Sequence, residues 1–145
     1  MQVPCAFTIN LDYYSSPYWG TTENDSDFFE PMQAGATDSA PDQAFSISVP
    51  AGAQITFQQT VNNYDSVHEL RWGGSCPGDN YIQGHDDPDT SSVTWTNPYS
   101  YTQTVYYIQS GFSSQSGTFT LAWAFGSAGV ALSLRVAGSC AVRAG

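Results

Sequence analysis

Acidic side chains are concentrated in two stretches that lack the alternation of a strand, residues 12–42 and residues 73–90. Calcium in proteins takes about six to eight oxygen ligands, which come from Asp and Glu carboxylates and from carbonyl groups. Neither stretch has the spacing of an EF-hand loop. The alternative is that these acidic side chains are solvated in loops and bind no ion. Calcium is the one cofactor that the sequence suggests, and its candidate ligands are Glu23, Asn24, Asp25, Asp27, Asp86 and Asp87.

Residues Asn24-Asp25-Ser26 also match the acceptor sequence for N-linked glycosylation. A glycan on Asn24 would occupy the same side-chain amide that a calcium ion would need, so these two predictions compete. Such acceptor sequences are used in surface loops of secreted proteins, and this one favours an exported chain.

Motifs for catalysis are weak by comparison. Residues 73–77 read Gly-Gly-Ser-Cys-Pro and lack the closing Gly of a nucleophile elbow. The chain has no Lys for a Ser–Lys pair and no His-Glu-x-x-His run, and His85 beside Asp86 marks no nucleophile. We therefore predict that the chain is not an enzyme, with a glycosidase carboxylate pair as the least favoured alternative.

Tyrosine and tryptophan side chains outside the predicted core form a further group that could bind something. Exposed rings beside Asn and Asp suit three roles: stacking on sugars, anchoring a protein contact, or capping the ends of the fold. The sequence does not choose among the three. The residues in this group, which fall in loops or at strand edges, are Tyr13, Tyr14, Tyr18, Trp19, Tyr99 and Tyr101.

Alternating apolar and polar residues identify the elements that must position these side chains. The two-residue period is that of strands with one buried face, and no long segment has the period of a helix. The apolar faces of eight runs contain Phe7, Ile9 and Leu11; Phe45, Ile47 and Val49; Ile55 and Phe57; His68, Leu70 and Trp72; Val93 and Trp95; Val105 and Tyr107; Phe119, Leu121, Trp123 and Phe125; and Val130, Leu132, Leu134 and Val136. The sequence therefore predicts an all-β fold, an antiparallel β-sandwich or jelly roll of about eight strands.

Length and charge restrict what such a fold can do. The chain has 145 residues, and we predict a single β-sandwich domain over residues 1–145, completed by terminal strands at 5–11 and 129–136. Thirteen Asp and Glu against three Arg give a net charge of −10, which would repel nucleic acid and anionic lipid. No apolar run approaches the roughly 20 residues that cross a bilayer. We expect neither nucleic-acid binding nor membrane insertion.

The three cysteines cannot all pair within one chain. Cys5 precedes the predicted first strand and Cys140 follows the last, and the termini of a sandwich can lie side by side. We predict a Cys5–Cys140 disulfide, which leaves Cys76 as a free thiol or in a bond to another chain. The alternative is that all three are reduced and buried.

An ordered set of short motifs in the middle of the chain resembles a known family. The motifs are Ala40–Gly52, Asn63–Val67, Gly74–Gly78, Asp86-Asp87, Val105–Ile108 and Gly117–Leu121. Their order is similar to that of the bacterial pre-peptidase C-terminal (PPC) domain, including its collagen-binding relatives and algal and protist surface-protein modules, over about residues 20–125. The resemblance implies a jelly-roll-like, secreted, non-catalytic accessory module, and the collagen-binding relatives bind calcium and a fibrous substrate.

The chain departs from this family at one cysteine. Members often carry a second Cys just before the Asp-Asp pair, where it could bridge to the Cys of the Cys-Pro-Gly turn. Here that region reads Gln83-Gly84-His85. The resemblance therefore leaves Cys76 without its expected partner.

Together these features favour a non-catalytic extracellular binding module of a larger secreted or cell-surface protein. Its partner would be a protein or an extracellular polymer, either a polysaccharide or a fibrous protein. One alternative is a structural subunit or repeat of an extracellular filament or coat, which requires self-association; another is a carbohydrate-binding module. The absence of Lys and the abundance of Ser, Thr, Asn, Gln and Gly also favour secretion or display at the cell surface.

Overall fold

A computed structural model of the protein describes Cys5, residues 7–32 and residues 39–126. The strands in these residues are β1 (Thr8–Asn10), β2 (Tyr18–Thr21), β3 (Gln43–Val49), β4 (Gln54–Asn62), β5 (Ser66–Trp72), β6 (Asn80–His85), β7 (Ser92–Thr96), β8 (Gln103–Gly111) and β9 (Thr118–Gly126). One turn of 3₁₀ helix, Leu11–Tyr13, follows β1. The all-β prediction is confirmed.

The strands form two sheets that pack face to face. One sheet has five strands in the order β1-β3-β8-β5-β6, and the other has four in the order β2-β9-β4-β7. All pairs are antiparallel except β1 and β3, which run parallel. The predicted antiparallel sandwich is therefore confirmed, with one parallel pair at the edge of the five-stranded sheet.

The apolar side of each alternating strand forms the core between the sheets. Phe45 and Tyr107 of the five-stranded sheet are fully buried against Phe57 and Phe119 of the four-stranded sheet. The Phe45 and Phe119 rings meet edge to face, with centroids 6.0 Å apart. The two-residue period seen in the sequence thus corresponds directly to which side chains the sandwich removes from water.

A layer of hydrogen-bonded polar side chains lies within this core. Gln59 Nε2 donates to the Tyr107 hydroxyl at 2.8 Å and to Gln109 Oε1 at 2.6 Å, and Gln109 Nε2 donates to the Tyr64 hydroxyl at 2.8 Å. Burial raises the pKa of Tyr64 to about 12, so its hydroxyl keeps its proton. Buried polar groups are tolerated when they are paired in this way.

Seven of the eight predicted strands are present, and the eighth, at 129–136, lies outside the described residues, as does Cys140. Two further strands lie in stretches that the sequence analysis assigned to loops. β2 occupies part of residues 12–42, and β6 occupies part of residues 73–90. Both are edge strands of their sheets.

Residues 22–32, which we call the covering segment, lie over the outer face of the five-stranded sheet. Phe29 is 1% exposed and packs with Ala44 and Ile108, and Phe28 lies beside it. The long loop before β3 therefore has a structural role, because it removes a second apolar surface from water.

Two carboxylates hold the covering segment in place. Asp42 Oδ2 accepts hydrogen bonds from the backbone N–H groups of Phe28 and Phe29, at 2.7 and 2.8 Å. Glu69 Oε1 accepts from the Met32 N–H at 2.7 Å, and its Oε2 pairs with Arg71 Nη1 at 2.6 Å. These acidic groups therefore satisfy backbone donors and an arginine.

The disulfide also lies on this covered face, and it joins Cys5 to Cys76 with Cα atoms 5.6 Å apart. The predicted Cys5–Cys140 pair and the predicted free or intermolecular Cys76 are both wrong. The turn after β5 folds back over the sheet, since Arg71 Nε donates to the Gly78 carbonyl at 3.0 Å and the Tyr106 hydroxyl donates to the Gly74 carbonyl at 2.7 Å. This brings Cys76 to the segment that precedes β1.

Candidate functional site

The strand directions place the connections at two ends of the sandwich. The β3–β4 turn and the β7–β8 loop lie at one end, which we call the aromatic end because it carries Trp72, Trp95, Tyr99 and Tyr101. The β4–β5 turn and the β6–β7 loop lie at the other, which we call the acidic end because it carries Asp65, Asp86, Asp87 and Asp89.

A buried asparagine fixes the backbone at the aromatic end. Asn97 is fully buried, and its Nδ2 donates to the carbonyls of Val49, Pro50 and Tyr101, at 3.0, 3.2 and 2.8 Å. Its Oδ1 accepts from the Tyr99 N–H at 2.9 Å. One side chain thus ties residues 97–102, the aromatic loop, to the β3–β4 turn, and no residue of this loop is charged.

The rings at this end form a continuous row from the core to solvent. Trp72 and Trp95 are stacked with centroids 5.8 Å apart, Tyr99 lies 5.0 Å from Trp72, and Tyr101 lies 5.8 Å from Tyr99. Exposure increases along the row, since both tryptophans are half-buried and Tyr101 is 60% exposed. The structure therefore brings together two of the six predicted aromatic residues, Tyr99 and Tyr101, and adds two tryptophans that the sequence analysis assigned to strand faces.

The other predicted aromatic residues do not join this row. Tyr13, the last residue of the 3₁₀ helix, and Tyr14, which follows it, are exposed at the same end of the sandwich. Tyr18 points inward, with its ring 5.4 Å from Tyr14 and 5.3 Å from Phe45. Trp19 is 77% exposed on β2, on the outer side of the four-stranded sheet.

At the acidic end, Asp65, Asp86 and Asp87 each offer a carboxylate oxygen within 4.8 Å of the others. Partial burial is the main cause that raises the pKa of Asp86, followed by repulsion from Asp87, Asp65 and Asp89. The pKa of Asp65 is raised in the same way. Hard cations are attracted by such oxygen groups, although solvated acids can adopt the same spacing without an ion.

The predicted ligands in the first loop are not part of this group. Asn24 is exposed and has a φ of +70°, and the Glu23 N–H donates to Thr21 Oγ1 at 3.1 Å. Asp25 Oδ2 accepts from Gln43 Nε2 at 3.2 Å. The carboxylates that meet in space are Asp86, Asp87 and Asp65, and the sequence offered no means of pairing a turn with a loop 20 residues later. Glycosylation of Asn24 stays a prediction.

The rings of the two histidines lie next to each other, with His68 buried and His85 partly buried. His68 on β5 is fully buried, its ring stacks on Tyr107 with centroids 5.5 Å apart, and the His85 ring lies 5.5 Å away on β6. Burial, together with the nearby His85, lowers the pKa of His68 to about 4. His68 is therefore neutral at physiological pH and packs as a core side chain.

Fold and site define the class: an all-β sandwich with a fixed aromatic loop that carries no charge at one end and a group of carboxylates at the other. No protein-family model and no curated protein sequence matches the chain. Among solved structures, the chain is similar to PliG of Aeromonas hydrophila, a periplasmic lysozyme inhibitor of g-type lysozyme. The two share 12% sequence identity with a TM-score of 0.56, over 82% of this chain and 96% of that one.

A further feature concerns where such a chain resides. Disulfides persist in oxidising compartments outside the cytosol, and Cys5–Cys76 is a disulfide. Within the described ranges, no helix is long and apolar enough to span a membrane.

Proposed function

We propose that this chain is an exported, non-catalytic module that binds another protein through its aromatic end. The observation that carries the proposal is that Tyr99 and Tyr101 stay exposed on a loop whose backbone is held by a buried asparagine. A loop that served only to cap the sandwich would bury these rings against the core, and Tyr101 is 60% exposed.

The physical chemistry of protein interfaces supports this role. Tyr and Trp are enriched at interface centres because they bury a large apolar area with few rotatable bonds and keep a polar group for hydrogen bonding. Asn97 orders the loop before any partner arrives, which lowers the entropy lost on binding. The absence of charge in residues 97–102 further reduces the cost of removing water from the surface.

The described function of the structural neighbour supports the class of partner. PliG is described as an inhibitor of g-type lysozyme, which is a protein ligand. At 12% identity this likeness concerns the fold, so the choice of a protein partner depends on the aromatic end. The g-type lysozyme that PliG inhibits is nevertheless a defined first protein with which to test binding.

Binding measurements on the immobilised chain test the proposal. We would measure the binding of g-type lysozyme by biolayer interferometry, and retention on cellulose, chitin and peptidoglycan by pull-down of the insoluble polymer. We expect saturable binding of the protein, with inhibition of its activity on bacterial cell walls. Retention on a polysaccharide without protein binding would identify a carbohydrate-binding module, the second candidate, in which the exposed Tyr99 and Tyr101 rings would stack on sugars.

A structural role and self-association are tested separately. Light scattering over a range of concentrations gives the molar mass in solution. We expect a mass that does not rise with concentration, since each copy carries a net charge of −10. Growth into larger assemblies would favour the structural subunit of a filament or coat.

Calcium and the PPC-like resemblance stay predictions. A calcium ion that binds only the folded chain would raise its melting temperature, and removal by a chelator would lower it. A melting temperature that ignores the chelator would end the calcium prediction. For the resemblance, the informative observation is whether the full-length gene places this domain beside a protease or in tandem copies.

A further inference from the structure

Edge strand β2 borders a groove that the aromatic end does not include. The groove has a volume of about 470 Å³ and extends from the edge of β2 onto the outer side of the four-stranded sheet, where Trp19 and Val61 flank Thr120. Trp19 is 77% and Val61 59% exposed, so large apolar side chains lie on both sides of Thr120, and grouped exposed apolar side chains mark interaction sites more often than single ones do. No residue that lines the groove is charged.

The backbone beside this groove has unpaired groups. In the part of the chain that the structure describes, β2 pairs only with β9. Backbone groups alternate between the two sides of a strand, and the Thr22 N–H donates to the Gly117 carbonyl at 3.0 Å. The N–H and C=O of Trp19 therefore face away from β9, where an added strand could bond to them.

A buried acceptor also lines the groove. Gln43 Oε1 has no hydrogen-bond partner among the described residues, whereas Gln43 Nε2 donates to the Thr21 carbonyl and to Asp25. Gly20 packs closely against this oxygen, since a Cβ there would lie 2.9 Å from Gln43 Oε1 and 2.7 Å from the Phe119 ring. Only glycine therefore fits at this position of β2.

The chain next to the groove is acidic. Glu23 and Asp25 follow β2 directly, and Asp25 contacts the Gln43 amide that lines the groove. A bound segment that carries Lys or Arg at this end would be attracted, and one that carries Asp or Glu would be repelled. A second copy of this chain, with its own charge of −10, is disfavoured for the same reason.

We propose that the β2 groove binds an extended, cationic segment of a partner protein, which adds to the four-stranded sheet as a strand beside β2. Main-chain bonds to Trp19 would supply affinity, the Trp19 side chain would pack on the segment, and the acidic residues would select its charge. The inference rests on the proposed function only in that the partner is a protein. Its test uses neither lysozyme nor the aromatic loop, so the two can fail separately.

Synthetic peptides test the proposal with the whole chain in solution. The probe is a short peptide of alternating Thr and Val with Lys at both ends, and its twin has Glu in place of each Lys. Binding is followed by amide chemical shifts in NMR titrations. We expect the Lys peptide to shift the amides of β2 and the side-chain amide of Gln43, with an affinity that falls as salt is added.

Single-residue variants test where the peptide binds and which acidic residue attracts it. Trp19→Ala should weaken binding by about tenfold or more, as expected for a central aromatic anchor. Tyr13→Ala, which removes an equally exposed ring elsewhere, should leave the affinity unchanged. Asp25→Asn should weaken binding by about threefold, the size expected for one exposed charge pair. Asp79→Asn, in the turn between β5 and β6, should leave the affinity unchanged.

Three results would overturn the proposal: no binding of the Lys peptide, equal binding of the Glu twin, or shifts that fall at Asp65, Asp86 and Asp87 with β2 unaffected. The last would indicate simple attraction to the acidic end. Unchanged melting temperatures of the variants would confirm that they fold, so a loss of binding reports on the groove.

Discussion

Two loops that each carry a pair of aromatic rings use these rings in opposite ways. The covering segment, residues 22–32, buries Phe28 and Phe29 against the five-stranded sheet. The aromatic loop, residues 97–102, presents Tyr99 and Tyr101 to solvent. Both are fixed by a buried polar side chain that bonds to the loop backbone, Asp42 in the first and Asn97 in the second.

The comparison shows that the role of a loop depends both on how its backbone is held and on whether its aromatic rings are buried or exposed. Where an anchor directs the rings onto a sheet, the loop is part of the core and its loss should reduce stability. Where an anchor holds the backbone and leaves the rings outside, the loop has no such stabilising role and its rings are available to a partner. Changes in the two loops should therefore separate stability from binding.

The largest expected effect is on stability, in the covering segment. Phe29→Ala removes a ring that is 1% exposed, and such truncations cost about 3–5 kcal/mol because they lose apolar burial and leave a cavity. The free energy of unfolding in urea measures the loss. Phe125→Ala, at a ring that is 50% exposed, is the control and should cost no more than about 2 kcal/mol. Equal losses in the two variants would contradict the assignment of residues 22–32 to a second core.

The disulfide on the covered face should give the next largest effect. Replacing Cys5 and Cys76 together by Ser should cost about 2–4 kcal/mol, because the bond closes a loop with a sequence separation of 71. Urea unfolding in non-reducing buffer measures the difference, and wild-type protein treated with reductant should match the variant. Peptide mapping that links Cys5 to Cys140 would refute the observed pairing.

The ionisation of Asp42 should have a smaller effect on folding stability, and this effect depends on pH. Burial raises its pKa to about 7 in the folded chain, against an ordinary value near 3.9 when unfolded. Between these values the folded chain holds a proton that the unfolded chain has lost, so stability falls as pH rises, by up to about 1.4 kcal/mol per pH unit. Asp42→Asn should abolish that fall and retain the bonds from Phe28 and Phe29. Melting temperatures of both proteins from about pH 4 to pH 7 measure it.

The titration of His68 changes stability with pH in the opposite direction. His68 is present both in the wild type and in the Asp42→Asn variant. Its pKa is lowered to about 4 on folding, so the unfolded chain binds a proton first as pH falls below about 6.5, and stability rises with pH there. The difference between the wild type and Asp42→Asn therefore isolates Asp42. Parallel pH profiles for the two proteins would show that Asp42 titrates normally.

The strands that the sequence predicted are those whose apolar side faces the core. Phe119, Leu121 and Trp123 gave the pattern that corresponds to β9, which lies between two neighbours. β2 and β6 are edge strands with few buried side chains, and each contains a Gly, so their sequences have no clear alternation. The edge strands β1 and β7 were predicted because they bury Ile9 and Val93, whereas no residue of β2 or β6 is buried. A strand without a buried face leaves no apolar period in the sequence.

The candidate site was predicted only in part for a related reason. Tyr99 and Tyr101 were recognisable as aromatic residues in a loop, but the anchor, Asn97, depends on carbonyls of Val49 and Pro50 that are nearly 50 residues away in sequence. The Cys5–Cys76 bond likewise depends on a turn that folds back over the sheet. Contacts made by loops across the fold have no local pattern from which they could be predicted.

The affinity of g-type lysozyme for the wild type and for the variant with Tyr99→Ala and Tyr101→Ala tests the central claim most directly. We predict that the double variant binds at least about tenfold more weakly, because the exposed rings would supply the anchors of the contact. Its free energy of unfolding should fall by no more than about 3 kcal/mol, since Tyr99 is 37% and Tyr101 60% exposed. Equal affinity of the two proteins, or no binding by the wild type, would contradict the account.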